Sequence, residues 1–403
     1  MAEQQLSRGA IRLTAFDNAE MDFQLMRSLG AVAFGGGSVG EIARARAAIA
    51  DGDPASWVAA FSALAAQVEA PKAGSDALRG EAALRASMYW RAAEYYARPE
   101  QAAALGRKSR IVFQAAMELL GIACETIIVR LNGESLTGYL LPPAQANGQP
   151  APLIVALSGF DGSTEELYFE IAAAARQRGY ACLLIEGPGQ AGTRRENPHS
   201  VFTPDYAPVV HAFIDAVKGR RSIDLRRSTL YGISFGGYFA SQAMAAGAPC
   251  HALIANSPIL DLQAYMTAFI GPALCADPPD IKVDEIDEVP DTALPPLLKH
   301  GLRTSCLRFG TDTFAGFLQR LGDFKVMQPA AIMQPSLALY GEGEGAEVER
   351  QAKAFAAQVG GPVTLRQFHD NEGAGDHCQF GNLALSAAVV LDWLDDLWRM
   401  PRD

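Results

Sequence analysis

Residues 231–237 read Tyr-Gly-Ile-Ser-Phe-Gly-Gly, so Ser234 sits in a G-x-S-x-G pentapeptide with an apolar run at 228–233 before it and a helix-patterned stretch at 238–246 after it. No other feature restricts the chain as strongly. Where a strand turns directly into a helix the two backbones nearly touch, and the flanking positions must lack side chains. The residue at the apex is driven into strained backbone and its side chain stands clear of the sheet. Ser234 is therefore the expected nucleophile, presented at the end of a strand.

Two other glycine patterns compete with it. Gly36-Gly37-Ser38-Val39-Gly40 also fits G-x-S-x-G, and Gly35-x-Gly37-x-x-Gly40 fits a dinucleotide-binding pattern. Only the short run 31–34 precedes them, and Asp51 and Asp53 follow a helical stretch directly, with no second strand between. A glycine-rich turn before a helix is the expectation there. Gly187-x-Gly189-x-x-Gly192 does follow an apolar run, at 181–186. Pro188 and the polar tract 193–200 predict that no helix opens there on which a pyrophosphate would rest.

The chain has 403 residues, 49% hydrophobic and 20% charged, enough for one large core and an accessory domain. A net charge of −11 argues against nucleic acid or an anionic membrane as partner, and no run of 18 apolar residues occurs. The opening residues 1–12 are polar and lack the apolar stretch of a secretory signal, so a cytoplasmic location is expected. Cys124, Cys182, Cys250, Cys275, Cys306 and Cys378 are scattered without a C-x-x-C pair. Reduced thiols are expected in place of disulfides or a zinc site, and neither a metal nor a cofactor is anticipated.

Texture divides the chain. Residues 1–121 are Ala-rich, with apolar residues at helical spacing over 56–68 and 83–96, and are expected to form a helical cap domain. Its aromatic residues Tyr89, Trp90, Tyr95 and Tyr96 are expected mainly to pack helices together, with contact to substrate as the alternative. From residue 122 strand patterns begin. Residues 125–131 and 135–141 flank Asn132-Gly133, a hairpin signal. Apolar strands at 153–158, 181–186, 229–233, 252–256, 336–340 and 363–368 then alternate with helical segments. Eight strands, antiparallel at the start and parallel after, predict an α/β-hydrolase fold over 122–403. Pro-rich and acidic loops over about 258–330 interrupt the rhythm between the sixth and seventh strands, as an inserted helical lid would.

In this fold the acid follows the seventh strand and the histidine the eighth. Strand 336–340 runs into Gly341-Glu342-Gly343-Glu344, which selects Glu344 as the acid with Glu342 as the alternative. His377 lies in a glycine-rich loop before a closing helix at 383–397 and is the expected base, while His369 ends a strand and is expected to be structural. His199, His211, His251 and His300 hold no expected catalytic position. A serine hydroxyl becomes a competent nucleophile when an imidazole accepts its proton and a carboxylate orients that imidazole. The developing oxyanion needs N–H donors, expected from Phe235, next to the nucleophile, and Phe160, in the loop after the third strand.

The motifs at 158–166 (Ser-Gly-Phe-Asp-Gly-Ser-Thr-Glu-Glu), 186–190 (Glu-Gly-Pro-Gly-Gln), 232–237 and 377–379 (His-Cys-Gln) resemble those of dihydroxypseudooxynicotine hydrolase of nicotine breakdown. They are equally similar to the polyketide-shortening hydrolases of aromatic pigment pathways. The likeness extends to residues 51–57 and 89–96 of the helical region and so spans nearly the whole chain. It implies hydrolysis of a C–C bond beside a carbonyl, in an aromatic or polyketide-like small molecule, under a helical cap and in a homodimer. A carboxylesterase or thioesterase, acting on a bulky or carrier-bound acyl chain, would use the same triad, and a non-catalytic ligand-binding hydrolase fold is the third alternative. The chain departs from the pattern in carrying Glu where Asp is more usual for the acid and in a longer inserted segment.

Overall fold

The computed structural model describes residues 8–70, 73–145, 148–279 and 281–399, so the first seven residues of the polar N-terminal stretch lie outside it. Eight strands form one sheet: β1 (Glu125–Leu131), β2 (Glu134–Leu141), β3 (Ala151–Leu157), β4 (Ala181–Ile185), β5 (Ile223–Ile233), β6 (Ala252–Asn256), β7 (Ser336–Gly341) and β8 (Val363–Phe368). Their order is β1-β2-β4-β3-β5-β6-β7-β8, antiparallel across the first two pairings and parallel across the rest. Asn132 and Gly133 both take positive φ, 51° and 84°, the backbone that a two-residue hairpin turn requires. The central strands are continuous hydrophobic runs because helices cover both of their faces. This is the α/β-hydrolase fold expected from the strand pattern.

The order places β3 between β4 and β5, so the chain leaves β3 in one direction and crosses back over it to reach β5. A crevice opens at the carboxyl ends of strands where the winding reverses. The loop after β3 and the turn after β5 both end there.

One strand is longer than its apolar run suggested. β5 begins at Ile223, six residues ahead of the expected start, because Ile223 and Asp224 pair with Ala151 and Pro152 of β3 and residues 225–227 bulge out where the register shifts before Leu153 meets Ser228. There Asp224 accepts from Arg226 and Arg227. The Gly187 region also departs from expectation, since a short helix, Ala191–Glu196, does open after it. Its glycine serves another purpose: a side chain at Gly192 would collide with the buried Glu186 carboxylate. The Gly36–Gly40 decoy is a turn before a helix, as expected. A side chain at Gly36 would meet Ala31 and Phe169, and the Ser38 N–H donates to the Tyr89 hydroxyl.

Helices α1 (Ala19–Gly30), α2 (Val39–Ala47), α3 (Pro54–Glu69), α4 (Asp76–Tyr96) and α5 (Pro99–Leu119) precede the sheet. Their starts are set locally: Asn18, Asp53 and Ser75 accept from first-turn amides, and Pro54 and Pro99 occupy positions where no N–H is needed. Trp57, Phe61, Tyr89 and Trp90 form a core among the helices, with the Trp57 indole donating to the Ala92 carbonyl. Phe113 and Met117 of α5 instead join the core beneath the sheet, beside Tyr139 and Tyr168.

Between β6 and β7 the helices Leu262–Ile270, Pro272–Ala276, Pro296–Phe309 and Phe314–Arg320 form the inserted segment. Phe309 and Phe324 of this segment pack against Phe235, with ring centres 6.0 and 5.7 Å apart. No helix among the described residues is long and apolar enough to cross a membrane. All six cysteines are free.

The helices are tied to the loop after β3 by buried ion pairs. Arg195 forks onto Glu94 of α4 at 2.6 and 2.7 Å and reaches Glu165 at 3.0 Å, with its side chain 1% exposed. Removing one partner of such a cluster leaves charge uncompensated in the interior, at a cost of about 3–5 kcal/mol. Arg195→Met is therefore expected to lower stability by about that amount in chemical denaturation, because Glu94 and Glu165 lose their shared cation.

Glu170 lies in the same region, in a π-helical turn (Tyr168–Ala172), and its carboxyl is pushed up to about 8 by burial and by the Glu166 charge, against the opposing pull of Arg27. The folded protein thus keeps this proton at a pH where the unfolded chain has released it. Stability from this group is full below the ordinary carboxylate range and is lost as pH rises towards 8. Glu170→Gln should flatten the stability profile between about pH 5 and 8 in denaturation series.

Candidate active site

Ser234 takes φ 60° and ψ −129°, the strained apex expected between β5 and the helix Phe235–Ala245. Glycines make the turn possible. A side chain at Gly232 would overlap the Gly236 carbonyl, and one at Gly237 would overlap that of Ser257. The apex is held by the Ser234 N–H donating to the Asn256 carbonyl and the Gly237 N–H donating to the Ser234 carbonyl.

His377 Nε2 stands 2.9 Å from Ser234 Oγ, and its Nδ1 stands 2.5 Å from Glu344 Oε2. A carboxylate can only accept, so Nδ1 carries the proton and Nε2 is free to accept from the serine. Glu344 is anchored by the Gly341 N–H at 2.8 Å and the Ser257 hydroxyl at 3.1 Å. The His377 and Glu344 side chains are 6% and 2% exposed. Glu342, the alternative acid, instead bonds His369 Nδ1 at 2.5 Å on the outer surface, with no approach to His377. The other strand-end histidine is accordingly structural.

The His377 loop is shaped by features that sequence reasoning passed over. Cys378 and Gln379 both adopt left-handed backbone, with φ 55° and 57°, and the Asn256 amide donates to Gln379 Oε1 at 2.8 Å. The His377 N–H donates to the Arg8 carbonyl at 2.8 Å, so the segment before α1 straps the loop from outside. Asp376, whose carboxyl burial pushes up to about 6, accepts from the Gly381 N–H. The Tyr265 hydroxyl, 3.4 Å from His377 Nδ1, arrives from the inserted segment.

The loop that carries Phe160 meets the turn that carries Phe235, the two expected oxyanion donors, at Gly159. A side chain there would lie 2.7 Å from both Phe235 N and Ser234 Cβ, so the loop after β3 closes onto the turn only as glycine, and Phe160 follows directly. Phe235 is the first residue of its helix, where an N–H has no intrahelical acceptor. Gln190 pins the loop: its amide donates to the Ser158 carbonyl at 2.6 Å, and its Oε1 accepts from the Gly187 N–H and the Tyr206 hydroxyl. Asp161 is held by Arg27 at 2.7 Å, which with Arg8 and Arg91 overrides burial and keeps its carboxyl well below the usual range.

Ser234, His377 and Glu344 face a cavity of about 1770 Å³ bounded by α4, the loop after β3 and the inserted segment. Tyr95 and Tyr96 line it, which is the alternative role considered for them, whereas Tyr89 and Trp90 are committed to Glu41 and Glu69. His300, which held no expected catalytic position in the sequence, also lines it, its ring against Tyr95 and Tyr96. Burial and the nearby Arg303 pull its imidazole down to about 4, so it is neutral at pH 7. Among the described residues no group of three or more His, Cys, Asp or Glu side chains is arranged to hold a metal.

Residues 167–274, which carry the nucleophile turn, match the prolyl oligopeptidase family. The chain is 37% identical over 238 residues to alpha/beta hydrolase xenA of Xenoacremonium sinensis, covering 55% of this chain and 56% of that protein. It is 32% identical over 284 residues to hydrolyase poxO of Penicillium oxalicum, covering 64% and 65%. The matches thus span less than two thirds of these relatives. A 20-hydroxy-prefusarin hydrolase of Gibberella moniliformis is 33% identical over 238 residues, covering 55% of this chain and 57% of that protein. In fold, the chain is similar to 2,6-dihydroxy-pseudo-oxynicotine hydrolase, with a TM-score of 0.70 at 18% identity, covering 91% of this chain and 95% of that one. The resemblance drawn from the motifs is upheld, in sequence by such hydrolases and in fold by the pseudo-oxynicotine enzyme.

The geometry separates the two carboxylates by partner, Glu344 on His377 and Glu342 on His369. Glu344→Gln should lower kcat by roughly 10³–10⁴, the loss seen when the acid no longer sets the histidine tautomer. Glu342→Gln should leave kcat within about threefold of the parent, since it touches only His369. Steady-state kinetics on any turned-over ester compares them.

Proposed function

We propose that the chain is a serine hydrolase that cleaves a C–C bond beside a carbonyl in an aromatic or polyketide-like ketone, with Ser234 as nucleophile, His377 as base and acid, and Glu344 orienting His377. The observation that carries this reading is the Ser234–His377–Glu344 relay, 2.9 and 2.5 Å between successive partners, facing a closed-over cavity large enough for a multi-ring substrate. The C–C specificity is supported by the resemblance of the motifs at 158–166, 186–190, 232–237 and 377–379 to hydrolases that cleave beside a carbonyl, and a polyketide-like substrate by the similarity to a prefusarin hydrolase.

In this reading Ser234 Oγ adds to the ketone carbon while its proton passes to His377 Nε2. The oxyanion is stabilised by the Phe160 and Phe235 N–H groups. When the tetrahedral centre collapses, the C–C bond breaks and its electron pair leaves on carbon as a carbanion, stabilised by a second carbonyl or an electron-poor ring. His377 returns its proton to that carbon, leaving an acyl group on Ser234. Water, deprotonated by the same imidazole, then releases the acid. α4 and the inserted segment act as cap and lid, keeping bulk water from the carbanion until His377 protonates it.

A β-diketone incubated with the enzyme in heavy-oxygen water should give a carboxylic acid with one labelled oxygen and an unlabelled methyl ketone, read by mass spectrometry. Ser234→Ala should abolish both turnover and labelling by a fluorophosphonate while leaving the circular dichroism unchanged. Efficient ester or thioester hydrolysis with activated ketones untouched would overturn the C–C reading and leave the nucleophile assignment standing.

A further inference from the structure

The cavity wall is rich in cations, and nearly all are neutralised. Arg8 pairs with Glu20, Arg91 with Glu166 and Arg195 with Glu94. Those nearer the mouth are likewise paired, with Asp287, Asp291 or Glu347. Among the described residues, Arg308 and Arg194 are the cavity-lining cations with no carboxylate at ion-pair distance.

Both side chains are held in place by neutral groups. Arg308, at the end of the helix Pro296–Phe309, donates from Nη1 to the Gly189 carbonyl at 2.8 Å. Its guanidinium lies over the Phe160 ring, 5.4 Å from the centre. Arg194, on the short helix after β4, donates to the carbonyls of Ser200 and Leu307. Burial and the charge of Arg194 pull Arg308 down to about 10, so it remains a cation at neutral pH but a poorly compensated one. The carboxylates that act on it from a distance, Asp161 and Glu94, are already engaged by Arg27 and Arg195.

A cation withdrawn from water without a counter-ion is costly, and a bound anion offsets that cost. A guanidinium whose Nε and Nη2 make no protein hydrogen bond presents the planar fork that matches two oxygens. Phe160 ties this fork to the chemistry, since its amide is the expected oxyanion donor and its ring carries Arg308. We propose that Arg308, with Arg194 beside it, recognises an anionic oxygen group of the substrate, a carboxylate or an enolate, on the Phe160 side of the cavity. The inference rests on reading this cavity as the substrate site. It makes the preferred ketone an acidic one, and Arg308 the residue that selects it.

The test measures binding without turnover, so its outcome is separable from that of the nucleophile assignment. In folded Ser234→Ala protein, calorimetry is run with benzoylacetate as the carboxylate probe, benzoylacetone as the enolate probe and 4-phenyl-2-butanone as the neutral one. Adding Arg308→Gln should weaken an anionic probe at least about tenfold relative to the neutral probe, and Arg308→Lys should restore part of the difference because charge is retained. A loss for benzoylacetate that is constant across about pH 6 to 9 identifies the carboxylate. A loss for benzoylacetone that grows as the diketone ionises identifies the enolate. If Arg308→Gln changes anionic and neutral probes alike, or changes neither anion by more than about twofold, the proposal is overturned.

Discussion

The site depends on a set of buried ion pairs that fastens the helical layer to the loop behind β3. Arg27 of α1 bonds Asp161 and Glu166, Arg91 of α4 bonds Glu166, and Arg195 joins Glu94 of α4 to Glu165. Buried pairs of this kind contribute little net stability, since desolvation consumes most of the Coulomb attraction. Their value is positional. Asp161 and Glu166 belong to the segment that brings Gly159 and Phe160 against the turn at Ser234, and a carboxylate held by two guanidiniums has few alternative positions.

That loop and the turn at Ser234 are mutually dependent. Gly159 must lack a side chain because Phe235 N and Ser234 Cβ occupy the space, and Gly162 must lack one because Ser158 Oγ is there. The strain at Ser234 is supported by two backbone hydrogen bonds, one of them to the end of β6. Strained backbone persists only where its surroundings over-determine it. Here the surroundings are a parallel sheet on one side and the aromatic packing of Phe202, Phe235, Phe239 and Phe309 on the other.

The cavity is an assembly of parts distant in the chain. The helical layer contributes Tyr95 and Tyr96, the loop after β3 contributes Phe160 and Asp161, and the inserted segment contributes Tyr265, His300 and Arg308. Its polar wall is mostly self-neutralised, as a volume intended for a largely apolar ligand requires. Phe309 and Phe324 bind the far end of the inserted segment to Phe235, beside Ser234, whereas its near helix, Leu262–Ile270, has only Leu262 buried.

Short-range chemistry wrote much of this protein legibly into its chain. Asn132-Gly133 dictated a hairpin because positive φ is tolerated at both positions. The glycines around Ser234 dictated the elbow, and apolar runs of strand length dictated a buried parallel sheet. Order after β7 and β8 pointed to His377 and to Glu344, with Glu342 as the alternative. What could not be read depends on contacts between residues far apart. β5 begins early because β3 offers a displaced partner to a polar segment, and the short helix Ala191–Glu196 forms as part of a packed corner where Gly192 meets the Glu186 carboxylate. The fold turns Glu344 inward onto His377 and leaves Glu342, two residues away, on His369 at the surface, a difference that spacing along the chain does not encode. Arg308 and Arg194 look like ordinary surface residues in sequence, since a lone arginine carries no periodic signal. Only the tertiary structure reveals that Asp161 and Glu94, the carboxylates that act on Arg308, are already engaged by Arg27 and Arg195, because a charge's partner is decided by distance in space and not along the chain.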